Sequence, residues 1–183
     1  ARLMLTEWLA SGRWNTRAKL RSGRFLRALP LEEKTLAESL RDSGYRTCII
    51  GKWHLGGKPF NTARHHGFDV SIAANDHGNP GNYFYPYKGR WSIPTTGLKA
   101  TWEVLPNGKP GEYLTDRLTD EAVTFLEENH EKPFFLFLSH YAVHTPLQAK
   151  NTLIRKYQEI PQERRQGNPT YAAMVESVDE SVG

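Results

Sequence analysis

Residues 45–54 read Tyr45-Arg46-Thr47-Cys48-Ile49-Ile50-Gly51-Lys52-Trp53-His54, a short apolar run that leads into a glycine and then into basic side chains. The run predicts a buried strand that Gly51 ends. Before it, residues 31–43 have apolar positions at helical spacing, and Gly44 is a helix stop signal. A helix followed at once by a strand is the repeating step of an α/β fold.

A second helix-to-strand step lies further along the chain. One apolar face over residues 113–129 predicts a helix, formed by Leu114, Leu118, Ala122, Phe125 and Leu126. Lys132-Pro133 breaks it, and the unalternating run 134–138 predicts a parallel-sheet strand buried on both faces. We therefore predict an α/β fold with a mostly parallel sheet flanked by helices.

The remaining segments are predicted from weaker signals. Short helices are expected near residues 3–9 and over 152–158. A last helix begins at Asn168-Pro169, a good N-cap and first-turn pair. Its predicted buried face is formed by Tyr171, Met174, Val175 and Val178. The glycine- and aromatic-rich stretch 57–111 is predicted to be an insertion of loops and short strands, in which residues 91–93 pair with 102–105.

Composition limits the class of protein. The chain has 183 residues, a net charge of +4 and one cysteine, which fits one globular domain without an internal disulfide. No groove-reading motif accompanies the basic residues, so we predict no nucleic acid partner. The longest apolar run, residues 134–138, is too short to cross a bilayer. Composition leaves the oligomeric state open.

Two histidine-bearing loops follow the two best strands. The first carries Lys52 and His54, and the second carries His140 and His144. In open α/β sheets, ligands bind beyond the carboxyl ends of the strands, so both loops are predicted to open onto one crevice. A lysine suits a tetrahedral oxyanion, and a histidine can donate a proton to a leaving oxygen. Because a Lys-x-His loop is also common on ordinary surfaces, spacing alone predicts no more than an anion-binding crevice.

Six residues, Gly51-Lys52-Trp53-His54-Leu55-Gly56, resemble the second signature of the type I sulfatases in the alkaline phosphatase superfamily. The lead-in Gly44-Tyr45-Arg46-Thr47 is also similar to that family. Further resemblances follow in the family's order: His66-Gly67-Phe68-Asp69, Gly78-Asn79-Pro80 with residues 83–87, Lys132 through Pro146, and Tyr171 through Asp179.

The resemblance implies an alkaline phosphatase-like sulfatase core that hydrolyses sulfate esters. It implies that Lys52, His54 and His144 are catalytic and bind the sulfate, and that His144 also protonates the leaving alcohol. His77 is a further candidate substrate contact, as is Asn75. The family uses a bound calcium ion and a formylglycine nucleophile. It also implies a sulfated small molecule or glycan as partner and a periplasmic or secreted location.

The sequence departs from the family at the nucleophile. The family's "Cys/Ser-x-Pro-x-Arg" motif is missing, and Cys48 is predicted to be a core residue. The family's metal-ligand motifs are also missing, so no metal ligand is predicted. We therefore expect residues 1–183 to be an internal part of a sulfatase catalytic domain, without its N-terminal nucleophile segment and its C-terminal metal-ligand segment, and inactive alone. Two alternatives stay open: a phosphoesterase or phosphonate hydrolase of the same superfamily, and a non-catalytic anion- or glycan-binding module.

Overall fold

The computed structural model describes residues 26, 28–92, 99–164 and 167–183, and the helix predicted near residues 3–9 lies outside them. The described helices and strands, in chain order, are α1 (Leu36–Asp42), β1 (Arg46–Gly51), β2 (Val70–Ile72), β3 (Lys88–Ser92), β4 (Lys99–Glu103), α2 (Leu114–Asn129), β5 (Phe134–Ser139), α3 (Asn151–Gln158) and α4 (Pro169–Val182). Short 3-10 turns cover Ala63–His66 and Gln162–Arg164.

The main sheet is parallel, as predicted. Its described strands lie in the order β2-β1-β5, and β1 pairs in parallel with both neighbours. Cys48 lies opposite Val70 on one side and Leu136 on the other, and Gly51 lies opposite Ser139. Strand β2 has only three residues, too few to give a periodic signal in the sequence, and it was not predicted.

Capping residues set the helix starts. Helix α1 begins at Leu36, later than predicted, because Thr35 is its N-cap: the Thr35 hydroxyl accepts from the Glu38 backbone N–H, and the Glu38 carboxylate accepts from the Thr35 N–H. Asn168 caps α4 as predicted, since its side-chain oxygen accepts from the Thr170 N–H at 2.8 Å.

The core lies on both faces of β1. On one face Cys48 and Ile50 pack with α2, which buries Leu114, Leu118 and Phe125. On the other face Ile49 packs in a smaller cluster whose other buried members are Leu29, Ala37, Trp53, Ala63 and Phe68. Because alternate residues of a strand point to opposite faces, this one short strand joins both clusters.

Three burial predictions were wrong in detail. Strand β5 is not buried on both faces, because Phe137 is 45% exposed in the described structure. Leu126, which was placed on the apolar face of α2, is exposed. Helix α4 buries Met174 as predicted, but it exposes Tyr171 and Val175, and it also buries Ala173 and Ser177. Helix α4 packs on α2 and α3, and small residues at the contact allow helix backbones to approach closely.

The insertion contains the predicted antiparallel pair. Strands β3 and β4 pair with Gly89 opposite Trp102, a few residues earlier on each strand than predicted, and residue 93 lies outside the described residues. In the described part of the chain, no helix combines the length and the apolar character that crossing a bilayer would require.

His66 gives a first testable prediction, on the pH dependence of stability. Its side chain is fully buried, and neither ring nitrogen has a hydrogen-bond partner among the described residues. Burial lowers the pKa of this imidazole, and the Glu38 carboxylate opposes that effect in part. The folded state therefore favours the neutral ring, so this contribution to stability is present above about pH 6.5, the ordinary pKa of histidine, and is lost as the pH falls toward the lowered folded pKa.

We expect His66→Leu to reduce the fall in the free energy of unfolding between about pH 7 and about pH 5, because leucine cannot take up the proton that the unfolded histidine binds. Urea unfolding at both pH values measures this difference. An unchanged pH dependence in the variant would contradict the prediction.

Candidate functional site

The two predicted loops start from adjacent points at the carboxyl edge of the sheet. The backbone N–H of Lys52 donates to the carbonyl of Ser139 at 2.6 Å, directly beyond the pairing of Gly51 with Ser139. Gly51 has a φ of +103°, and a Cβ atom placed on it would lie 1.9 Å from the Ser139 carbonyl oxygen. Only glycine allows the backbones of β1 and β5 to come this close at Gly51 and Ser139. Gly51 therefore places the starts of the two loops side by side.

His54 lies half-buried at the end of the first loop. Its backbone N–H donates to the carbonyl of Asn75 at 3.0 Å, and its imidazole lies against Gly78, where an added Cβ atom would be 2.5 Å from the ring carbon Cε1. Its φ of +56° is in the left-handed region, which costs a residue with a side chain about 1 kcal/mol or more. Such strain is typical of functional sites.

The surroundings of His54 are strongly basic. Burial lowers the pKa of His54, and the nearby positive charges of Lys52, His144 and His77 lower it further, while the Asp76 carboxylate opposes them. The structure therefore brings three of the predicted site residues, Lys52, His77 and His144, within electrostatic reach of the fourth, His54. Burial also lowers the pKa of Lys52, and no described residue forms a hydrogen bond or an ion pair with its ammonium.

His144 is exposed, but its backbone is fixed. Its carbonyl accepts a hydrogen bond from the hydroxyl of the fully buried Tyr83 at 2.9 Å, and its N–H donates to the carbonyl of Tyr141. The ring nitrogen Nδ1 lies 2.8 Å from the Thr145 carbonyl oxygen. Because a carbonyl can only accept, Nδ1 carries the hydrogen, and Nε2 is the nitrogen left to face a ligand.

His77 belongs to a turn that is connected to His54. The side-chain oxygen of Asn75 accepts from the His77 N–H at 2.8 Å, and the carbonyl of the same Asn75 accepts from His54. Nδ1 of His77 lies 3.0 Å from a carboxylate oxygen of Asp76. The contact with His77 lowers the pKa of the Asp76 carboxyl, and burial of the carboxyl opposes this effect. Asn75, expected as a substrate contact, thus joins two loops.

Three contributors to this site were not found in the sequence. Trp102 stacks on His77 with ring centroids 4.4 Å apart, Gly78 supports the His54 ring, and Asp76 pairs with His77. The only local signal was the turn-forming run at residues 75–78. Trp102 lies more than twenty residues further along the chain, and only the folded hairpin brings it close.

The other histidines have structural contacts. Nε2 of His140 lies 2.9 Å from the Ser181 hydroxyl, so His140 links the end of β5 to α4, and burial lowers its pKa. Nδ1 of His65 contacts the Thr62 hydroxyl, and Nδ1 of His130 contacts the Glu127 carbonyl.

Neither the cysteine nor the described acidic residues fit the cofactors that the resemblance implies. Cys48 is fully buried in the middle of β1, and burial raises the pKa of its thiol to about 12, so it is a core residue as predicted. Within residues 26, 28–92, 99–164 and 167–183, no three His, Cys, Asp or Glu side chains are arranged to hold a metal ion. The described residues therefore do not form a calcium site.

Comparisons with known proteins agree with one another. The family model described as "Sulfatase" matches residues 11–183. An arylsulfatase of Hemicentrotus pulcherrimus is 34% identical over 143 residues, and the N-acetylgalactosamine-6-sulfatase of Mus musculus is 32% identical over 166 residues. These matches cover 65% and 85% of this chain. The chain spans 23% and 29% of the length of those two relatives.

A solved structure has the same arrangement of elements. The crystal structure of Ps i-CgsB in complex with k-i-k-neocarrahexaose superposes with a TM-score of 0.62 at 31% identity, over 85% of this chain and 36% of that chain. The likeness includes the parallel sheet and its flanking helices, and it agrees with the α/β core predicted from the sequence.

Proposed function

Because this chain belongs to the sulfatase family, we propose that it is part of an enzyme that hydrolyses sulfate esters, in which Lys52, His54 and His144 bind the sulfate and assist the leaving group. The observation that carries the proposal is that the loops of Lys52 and His144 leave the adjacent ends of β1 and β5, with both residues close enough to His54 to lower its pKa. The chain as a whole, residues 1–183, is proposed to be an internal part of the catalytic domain.

Lys52 supplies positive charge to the sulfate oxygens. Its ammonium is partly removed from water, and a charge in such surroundings interacts more strongly with an anion than a charge in bulk solvent does. A sulfate ester carries a single negative charge before reaction, and more charge develops on its bridging oxygen as the S–O bond breaks. Lys52 therefore stabilises the ground state and the transition state.

His54 and His144 have different proposed roles. The lowered pKa of His54 keeps its ring neutral near neutral pH, so it donates one hydrogen bond to a sulfate oxygen without adding a full charge. His144, whose Nδ1–H is held by the Thr145 carbonyl, directs Nε2 toward the ligand. As the S–O bond breaks, its electron pair moves to the leaving oxygen, and protonated Nε2 donates a proton to that oxygen.

The nucleophile and the metal are proposed to come from outside the described residues. In the family, a formylglycine supplies the nucleophile and a calcium ion neutralises the charge of the sulfate. The described residues fit neither group. This chain contributes the cationic side of the pocket.

The substrate is proposed to be a sulfated carbohydrate. Two proteins to which this chain is similar carry sugar names, the N-acetylgalactosamine-6-sulfatase and the complex with k-i-k-neocarrahexaose. Export to the periplasm or to the cell exterior is proposed on the family resemblance alone.

The decisive experiment compares the complete protein with the 183-residue chain. We expect the complete protein to hydrolyse para-nitrophenyl sulfate faster than para-nitrophenyl phosphate, which has the same alcohol and a different anion. We expect no turnover of either ester by the chain alone, because its sequence lacks the Cys/Ser-x-Pro-x-Arg motif from which the family's nucleophile forms. Release of para-nitrophenol measures both.

Other outcomes would point to the open alternatives. Faster hydrolysis of the phosphate ester would indicate a phosphoesterase of the same superfamily. Binding of sulfated oligosaccharide without hydrolysis of any ester by the complete protein would indicate a non-catalytic binding module. Turnover by the chain alone would contradict the expected absence of its nucleophile.

A further inference from the structure

Trp102 is held firmly in the hairpin. Its indole N–H donates to the carbonyl of Asn79 at 3.3 Å. Its six-membered ring lies directly over Gly89, its partner across the hairpin: a Cβ atom on Gly89 would be 2.2 Å from Cζ2 of the ring. Two contacts therefore fix the ring. Its edge donates a hydrogen bond, and its face packs directly on the backbone of Gly89, where no side chain intervenes.

The fixed ring controls the plane of His77. The two rings are stacked 4.4 Å apart with an angle of 11° between them, and a carboxylate oxygen of Asp76 lies 3.0 Å from Nδ1. A flat stack limits tilting of the imidazole, so the indole sets the plane in which the ring of His77 lies. Because hydrogen bonds weaken steeply when they are misaligned, a fixed plane gives His77 a definite direction for donation or acceptance.

His77 differs from the other basic residues of the site in where it is anchored. Lys52, His54 and His144 come from loops that follow β1 and β5, whereas His77 is held by the insertion and its hairpin. It is nevertheless close enough to affect the charge state of His54, and Gly78, its neighbour in the chain, supports the His54 ring. His77 thus lies on the hairpin side of this group of basic residues.

We propose that Trp102 is a positioning residue that orients His77 to contact the organic part of the sulfate ester, next to the sulfate bound by the strand-end loops. This inference rests on the proposed function, since it assigns a role within the same site. It adds a residue that neither the signature motif nor the strand-end loops contain.

The test uses the complete protein and para-nitrophenyl sulfate. We expect Trp102→Ala to raise KM by about tenfold with a smaller change in kcat, because orientation of a binding group is lost. Trp102→Phe should stay within about threefold of wild type, since phenylalanine keeps a stacking face. His77→Ala should match Trp102→Ala, and the double variant should be no worse than either single variant. Thr101→Ala, an exposed neighbour on the same strand, is the matched control and should keep the wild-type KM.

A second measurement does not depend on catalysis. The stacked indole shifts the ring-proton NMR signals of His77, and this shift should disappear in Trp102→Ala and largely persist in Trp102→Phe. Gly89→Ala should also change it, because the new Cβ atom displaces the indole without deleting it.

The outcomes separate this inference from the function on which it rests. No hydrolysis by the wild-type protein would contradict the proposed function, and the NMR signals would still test whether Trp102 orients His77. Unchanged His77 signals in Trp102→Ala would overturn the inference. So would a wild-type KM in that variant, additive losses in the double variant, or an equal loss in Thr101→Ala.

Discussion

Gly51→Ala is expected to lower the free energy of unfolding by roughly 3 kcal/mol, among the larger effects of a single substitution. The added methyl group would lie 1.9 Å from the oxygen and 2.7 Å from the carbon of the Ser139 carbonyl. Both atoms belong to the backbone of β5, so no side chain can turn away to relieve the overlap. The φ of +103° adds strain for any residue with a side chain.

A matched control separates the overlap from the strain. Gly111 also has a positive φ, of +84°, but a Cβ atom there would meet nothing within 4 Å. Gly111→Ala should therefore cost only about 1 kcal/mol, the cost of the backbone conformation. Urea unfolding of both variants measures the difference. Equal losses at the two positions would contradict the claim that Gly51 holds the two strand ends together.

His54→Ala is expected to reduce the kcat/KM of the complete protein for para-nitrophenyl sulfate by about a hundredfold or more, the usual cost of removing a preorganised donor. Gly78→Ala should cause a large part of this loss without removing any functional group. The new methyl group would lie 2.5 Å from Cε1 and 2.6 Å from Nδ1 of His54. The imidazole must then move, because it is the movable partner in the contact.

The two substitutions together test that explanation. Gly78 is not among the glycines with positive φ, so alanine fits its backbone, and the thermal unfolding midpoint should change little. In a His54→Ala background, Gly78→Ala should add almost no further loss, since the displaced ring is already gone. If Gly78→Ala reduces kcat/KM by the same factor with and without His54, Gly78 does not act on the site through the His54 ring.

Local sequence signals predicted much of the structure. The apolar runs that became β1 and β5, the single apolar face of α2 and the Asn168 cap of α4 each depend on residues close together in the chain. The position of the Lys52 loop beside the end of β5 could also be predicted. Adjacent parallel strands end at the same edge of a sheet, so loops that follow them start close together. The exposure of Phe137 and Val175 could not be predicted, because exposure depends on which surfaces pack against each element.

The amino-acid sequence by itself determined the helix-to-strand steps, the burial of Cys48 and the placing of Lys52, His54 and His144 directly after strands, because caps, glycines and apolar runs act over a few residues. Only the tertiary structure decided that Gly78 supports His54 and that Trp102 fixes His77. Those contacts join loops that no local periodicity relates, and their geometry follows from the pairing of whole strands and from close packing between distant segments.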